Sequence, residues 1–286
     1  MALIGIDVGG TKCHGVAVDA DGAVMAEVRH PTPHASELIG LLAGMYRELG
    51  GDGSLGIGLP GLITADGVVR ASPNMRGAYD VPVGPSLREM LGMPVHVEND
   101  ATVAAWAEWK VGAARGATDA VIVTLGTGIG GGIVMGNQLQ RGAHGFAGEI
   151  GHMVVVHDGL ECACGRRGCW EVYASGTALR RLSDGLTGEQ VIDAYERGDE
   201  SARDVIQRFS EWVALGLANL TNVCDPEVIV LGGGVVDSMA GFMDVVTTSF
   251  TNALYSSEWR AHPRLVTAAL GSRAGAIGSA LAAAVL

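Results

Sequence analysis

Apolar and small residues alternate through LIGIDVGGTKCHGVAVDADGAVMAEVRH, broken by a Gly-Gly pair and again at DADG. A period of two sends successive side chains to opposite faces, so the stretch predicts adjacent antiparallel strands. The period then lengthens. In ELIGLLAGMYRELGG, Leu38, Leu41, Leu42, Met45 and Leu49 share one helical face, with Ser36 as the expected cap and Gly50 at the end. SLGIGLPG and PVHVEND read as buried strands. DATVAAWAEWKVG reads as a helix opened by Asp100 and closed by Gly112.

Beyond that helix the strand pattern restarts. DAVIVTLGTGIGGGIVMGNQLQRG repeats strand, glycine turn, strand and polar turn, with the layout of LIGIDVGGTKCHGVAVDADGAV but few identical residues. Two copies of one supersecondary unit predict two related α/β domains facing each other across a cleft. The expected boundary near Gly112–Thr118 gives domains at 1–112 and 113–271. Thr187 and Gln190 predict a capping box, and Ser201 starts a long helix that must stop before Asp225-Pro226. EVIVLGGGV is a buried strand entering a triple-glycine turn, and RLVTAAL is a late strand. SRAGAIGSALAAAVL is a helix of small residues suited to close packing.

Composition narrows the function classes. Of 286 residues, 48% are hydrophobic, which is enough to build cores and excludes general disorder. The net charge of −12, with Lys12 and Lys110 the only lysines, argues against nucleic acid or an anionic membrane as a partner. No run approaches the roughly 20 apolar residues of a membrane span. MALIGIDVGG lacks a basic region and is interrupted by Asp7, so it reads as a first strand and not a signal peptide. A cytoplasmic location is expected, where cysteines stay reduced.

Three glycine turns, DVGGTK, LGTGIGGG and LGGGV, each end an apolar strand. One such turn needs only hairpin geometry. Three together point to backbone N–H groups that cradle a polyphosphate, and Asp7 at the first suits Mg²⁺. Gly126, Gly128 and Gly131 satisfy GxGxxG, but a strand and a turn follow where a dinucleotide site needs a helix. Neither lysine completes a Walker A loop, and no GxSxG element exists.

Three of the five cysteines crowd into eight positions. His152-x9-Cys162-x-Cys164-x4-Cys169 supplies one imidazole and three thiolates, a closed tetrahedral zinc set of structural type. Gly165 and Gly168 suit the tight turns this requires. His157 is spaced to serve in place of His152, and reduced, unliganded cysteines are the other alternative. Cys13 and Cys224 sit in apolar contexts as ordinary core residues.

IGIDVGGTKCHGVAVD and VTLGTGIGGGIVMGNQLQRGAHGFAGEIGH resemble the two phosphate motifs of the actin-like ATPase and sugar kinase superfamily, and more narrowly those of the ROK family (repressors, open reading frames, kinases). GEIGH followed by CACGRRGCWE resembles that family's hallmark. ASPNM, VENDA and LGGGV match in order, so the resemblance spans essentially the whole chain. It implies the actin-like ATPase (ribonuclease H-like) fold, with the last helix, about 272–286, crossing back onto the first domain. It also implies ATP-dependent phosphorylation of a hexose at O6, glucose first among the acceptors.

The same resemblance assigns roles. Asp100 aligns with the catalytic base, while Asn74, Asn99, Glu149, His152 and Glu171 align with sugar-contacting residues. It favours His152 over His157 as the metal ligand. Gly9, Gly10, Thr11, Gly126, Thr127 and Gly128 would cradle phosphates, with Lys12 nearby, and Gly232, Gly233 and Gly234 would approach the adenosine. The implied cofactors are ATP, Mg²⁺ and a structural Zn²⁺, and the implied assembly is a homodimer or homotetramer. Asp100 begins a helix, so its ionised form is expected at neutral pH without further tuning. NMRGAYD lacks the tryptophan that many family glucokinases carry there, which keeps N-acetylglucosamine, N-acetylmannosamine, fructose and allose open as acceptors. A sugar-sensing repressor of the same family is disfavoured by the start at strand one and the charge of −12. A nicotinamide enzyme is disfavoured by the absent helix and the zinc set.

Overall fold

The computed structural model describes residues 2–72, 79–239 and 241–285, and Asn74 with most of its ASPNM motif lies outside them. The chain divides into two compact units. The first takes the chain to Arg115, then Gln140–Gly148, then the chain from Ser272; the second takes Gly116–Leu139 and Glu149–Gly271. The 140–148 stretch, which the sequence reading leaves in the second domain, thus belongs with the first. A buried ion pair from Arg141 Nε to Glu98 (2.7 Å) ties it there.

In chain order the first unit has β1 (Leu3–Val8), β2 (Lys12–Val18), β3 (Val24–Pro31), α1 (Ala35–Glu48) and β4 (Ser54–Leu59). A small antiparallel sheet of β5 (Leu62–Ile63), β6 (Val69–Ala71) and β7 (Tyr79–Val81) precedes α2 (Val83–Leu91), β8 (Val95–Asn99) and α3 (Asp100–Lys110). The main sheet runs β3-β2-β1-β4-β8. Its first three strands are antiparallel, and β1, β4 and β8 are parallel. The N-terminal stretch is therefore the central strand, with Ile4, Ile6 and Val8 fully buried.

The second unit has β9 (Ala120–Leu125), β10 (Ile129–Met135) and β11 (Gln138–Leu139). Helices α4 (Glu171–Ala174), α5 (Gly176–Leu182), α6 (Gly188–Glu196) and α7 (Glu200–Cys224) follow, then β12 (Val228–Gly232), α8 (Gly234–Ser238), α9 (Phe242–Ala253) and β13 (Arg264–Thr267). Its sheet runs β11-β10-β9-β12-β13, again an antiparallel meander joined to parallel strands. The repeat read in the sequence is thus a repeat of sheet topology. Trp170, Phe209 and Phe242 centre this unit's core, and the Trp170 indole donates to the Trp212 carbonyl at 2.7 Å.

The last helix, α10 (Ala274–Ala283), packs on β1, β4 and α3 of the first unit. Contact is backbone to backbone. A Cβ on Gly56 would lie 1.8 Å from the Ser279 carbonyl oxygen, and one on Gly278 would lie 1.8 Å from that of Val103. Only glycine permits this approach. No described helix is long and apolar enough to cross a membrane.

Helix ends differ from the sequence reading in detail. The Thr187–Gln190 capping box is present. The α1 cap is His34, whose ring accepts from the Ser36 N–H, so Ser36 lies inside the helix. α7 starts at Glu200, one residue before the expected Ser201, is capped by Asp199, and ends where Asp225 turns left-handed before Pro226.

Candidate active site and metal centre

The first glycine turn joins β1 to β2. The Gly9 N–H donates to the Lys12 carbonyl at 2.9 Å. Thr32 braces the turn from β3's end, its hydroxyl donating to the Gly9 carbonyl (2.6 Å) and its N–H to that of Thr11 (3.1 Å). Gly10, Thr11 and Lys12 are exposed. Asp7 is the next-to-last residue of β1, beside this turn, and a Cβ on Gly275 would sit 2.6 Å from its carboxyl carbon. Burial, then the charge of Asp100, push the Asp7 carboxyl up to about 7, against a smaller opposing pull from Lys12. Two desolvated carboxylates that repel one another, neither ion-paired to a base among the described residues, fit a divalent cation.

Asp100 is the first residue of α3, and its neighbour Asn99 is the cap: Asn99 Oδ1 accepts from the Thr102 N–H (3.0 Å) and hydroxyl (3.3 Å). The Asn99 amide nitrogen donates to the Gly61 carbonyl at 3.2 Å, which leaves one N–H for a ligand. Asp100 Oδ1 accepts from the Ala101 N–H at 2.8 Å. Burial outweighs that bond and raises the Asp100 carboxyl above its ordinary value. This corrects the expectation of an untuned carboxylate: removal from water wins over the favourable field of the helix start.

Glu98 and Arg141 escaped the sequence reading. Glu98 is buried, pairs with Arg141 and accepts from the Asn99 N–H at 3.2 Å, so it anchors the backbone just before Asp100. An acidic residue inside a buried strand was the available signal, because such a charge needs a partner.

His96, two residues back on β8, is held neutral: burial, then the nearby Arg141 and Arg88, lower it to about 4. The unfolded chain takes up a proton below its ordinary 6.5 while the folded chain does not until about 4. Its contribution to stability is therefore present above 6.5 and lost as pH falls through that window. His96→Gln should remove this loss, worth at most about 3 kcal/mol. The check is urea unfolding of both proteins between pH 7 and 4, where the wild type should lose more stability than the variant as pH falls.

The second unit carries the other two turns. Gly126 N–H donates to the Gly128 carbonyl (3.0 Å), and the Gly126 and Thr127 carbonyls accept from Gly176 N–H (2.7 Å) and the Thr177 hydroxyl (2.8 Å). A Cβ on Gly128 would lie 2.5 Å from Glu171 Oε2, and that oxygen accepts from the Ile129 N–H at 3.3 Å. Gly128 thus makes room for Glu171. Gly232 pairs with Thr124 across the sheet, and Gly233, at φ 94°, sits against the Leu125 carbonyl. The second and third turns therefore lie side by side, followed by a strand after LGTGIGGG as expected.

Glu171 also reaches the cysteine cluster. The ligand atoms of His152, Cys162, Cys164 and Cys169 all lie within 4.8 Å of one another. The Cys164–Cys169 sulfur separation is 3.7 Å, and Cys162 Sγ is 3.8 Å from His152 Nδ1. A tetrahedral site with metal–sulfur bonds of about 2.3 Å has edges of about 3.8 Å, so the residues fit such an ion. Gly165 and Gly168 take positive φ in the loop's turns. His157 is 94% exposed and pairs with Asp158, away from the set. Burial pushes the Cys162 thiol well up, and it donates to Glu171 Oε1 at 3.0 Å. A bound cation would displace that proton. His152 Nδ1 faces Cys162 while Nε2 lies 3.9 Å from Glu149 Oε2, so the second nitrogen is turned toward a carboxylate outside the set.

The ROK family model matches residues 3–285. The chain belongs to the ROK family. Among its relatives is the glucokinase of Streptomyces coelicolor, 35% identical, with 97% of this chain and 96% of that one covered. The xylose repressor of Bacillus subtilis is 31% identical over 96% of this chain and 75% of its own length. Among solved structures, a ROK family glucokinase from Streptomyces griseus in complex with glucose and AMPPNP has a TM-score of 0.88 and 36% identity, with 98% of each chain covered. These ROK kinase neighbours and the two sheet-containing α/β units give the actin-like ATPase sugar kinase fold.

Proposed function

We propose that this chain transfers the γ-phosphoryl group of ATP to the 6-hydroxyl of a hexose, glucose foremost. The observation that carries the reading is the full-length likeness, at 36% identity, to a glucokinase bound to glucose and AMPPNP. Asp100 orients the sugar hydroxyl and accepts its proton as the new O–P bond forms and ADP leaves. The transition state is loose, so the remaining residues position groups and stabilise charge. Backbone N–H groups of Gly10, Thr11, Thr127 and Gly128 hold phosphate oxygens, with Lys12 beside them, while Gly9 and Gly126, whose N–H groups close their own turns, shape the cradle. Gly232, Gly233 and Gly234 lie against the adenosine.

The spare N–H of Asn99, the His152 Nε2 and the carboxylates of Glu149 and Glu171 take sugar hydroxyls, joined by Asn74. Mg²⁺ held by Asp7, directly or through water, would neutralise developing phosphate charge. Zn²⁺ held by His152, Cys162, Cys164 and Cys169 would fix the loop that carries the sugar-facing groups.

A coupled ADP-release assay over a panel of sugars and donors tests this reading. The expected result is ATP-dependent turnover highest with glucose, giving glucose 6-phosphate. Highest turnover with N-acetylmannosamine, N-acetylglucosamine, fructose or allose would move the acceptor, and preference for polyphosphate would move the donor. No phosphoryl transfer to any sugar would overturn the proposal.

A further inference from the structure

Segment 140–148 follows β11, belongs with the first unit, and runs on into Glu149. Its own bonds make it a closed loop. The Ala147 N–H donates to the Arg141 carbonyl at 3.1 Å, and Gly142 and Gly145 take positive φ. The first unit holds this loop at two points. A Cβ on Gly145 would lie 3.2 Å from the Ile63 carbonyl oxygen, so that glycine lets the loop close on β5. At the loop's base, Arg141 Nε meets Glu98 Oε2 at 2.7 Å.

Glu98 uses both of its oxygens. Oε2 faces Arg141, while Oε1 accepts from the Asn99 N–H at 3.2 Å. The Asn99 side chain is held separately, by Thr102 through Oδ1 and by the Gly61 carbonyl through Nδ2. The backbone leading into Asp100 is thus held by a carboxylate whose own orientation rests on Arg141.

Stability does not account for the pair. Glu98 is only 6% exposed, and a buried ion pair gains little over apolar packing once both charges are desolvated. Here the desolvation is not fully offset. Arg141 Nη2 is also buried, with no hydrogen-bond partner among the described residues. What the pair supplies is direction, because a charge-assisted contact fixes a carboxylate more firmly than a neutral partner does. Direction matters most at Asn99 and Asp100, where a misplacement of about 1 Å can cost about a hundredfold in rate.

We propose that Arg141 is a positioning residue for phosphoryl transfer: through Glu98 it sets the backbone of Asn99 and Asp100, and it joins that strand end to the loop leading into Glu149. The proposal rests on the kinase reading above. Arg141 acts through Glu98 and not on the substrate itself.

Steady-state kinetics with ATP and the sugar the wild type turns over fastest, scaled to folded protein, test it. In Arg141→Gln, kcat should fall by about 10–100-fold and the KM for sugar should rise, while the KM for ATP stays within about twofold. Arg141→Lys restores a cation beside Glu98 and should recover most of the loss. Glu98→Gln removes the pair from the other side, should show the same split, and serves if Arg141→Gln melts early. Hydrogen exchange needs no substrate. Read by mass spectrometry in Arg141→Gln, a peptide across 97–102 should exchange several-fold faster while the β1–β2 hairpin is unchanged. Near-normal kcat in the folded glutamine variants, no recovery by lysine, a rise in the KM for ATP that matches the fall in kcat, or unchanged exchange would each overturn the proposal and leave the kinase reading intact. A wild type that phosphorylates no sugar would overturn both.

Discussion

Asp100→Asn is expected to fold and bind sugar like the wild type while its turnover falls by about 10²–10⁴-fold. The fold should survive because the substitution spares what the helix needs. Asn99, not Asp100, caps α3, and an asparagine keeps the oxygen that accepts from the Ala101 N–H at 2.8 Å. It replaces the second oxygen with an amide that cannot take a proton. Burial raises the Asp100 carboxyl, which makes the ionised form a stronger base and brings its titration closer to neutral pH. Wild-type turnover should therefore rise with pH through that raised value, and the variant should keep only the part of this limb that belongs to Asp7. Asp7 titrates nearby, at about 7, and its charge and that of Asp100 oppose one another, so the limb belongs to the pair. Near-normal turnover in Asp100→Asn would remove it as the base.

What the sequence disclosed and what it withheld divide by range. Period-two runs around DVGGTK and LGTGIGGG predicted both hairpins, because each residue's partner lies a few positions away across one turn. The capping box at Thr187 and Gln190 is likewise local. The cysteine spacing pointed to the one cluster of metal-ligand type found among the described residues, since its members span only 18 positions. Through-space partners were not legible. Nothing local to Arg141 says that it meets Glu98, or that this contact carries 140–148 back to the first unit. The glycines were visible, but not what each one makes room for: Gly128 for the Glu171 carboxylate, Gly275 for Asp7, Gly56 for a helix backbone more than two hundred residues downstream. Desolvation was hidden for the same reason. A helix start favours an ionised Asp100 from sequence alone, and only the packed neighbours reverse that balance.

Cys164→Ala is expected to lose the bound zinc and, with it, most of the affinity for sugar. The choice of cysteine matters. Cys169 is fully buried, so its removal would also leave a cavity, whereas Cys164 is exposed and its loss removes a ligand with little packing. Metal analysis of the wild-type protein should find about one zinc per chain, the stoichiometry of a closed four-ligand site. In the variant, three ligands remain and metal affinity should fall by more than about a hundredfold, beyond the roughly 10–100-fold that losing an outer partner of a metal site costs. The sugar effect follows from the connections of the loop. His152 turns Nδ1 to the cluster and Nε2 toward Glu149, and Glu171 lies 3.0 Å from the Cys162 sulfur. Without the ion the thiols keep their protons, and nothing fixes the His152 ring or the Glu171 carboxylate. The KM for glucose should rise about tenfold or more while the KM for ATP changes little, because the turns that hold phosphate have their own hydrogen bonds. Absence of zinc from the wild type would overturn the metal reading. Zinc lost with an unchanged sugar KM would keep the metal as a staple of the loop and sever it from the sugar site.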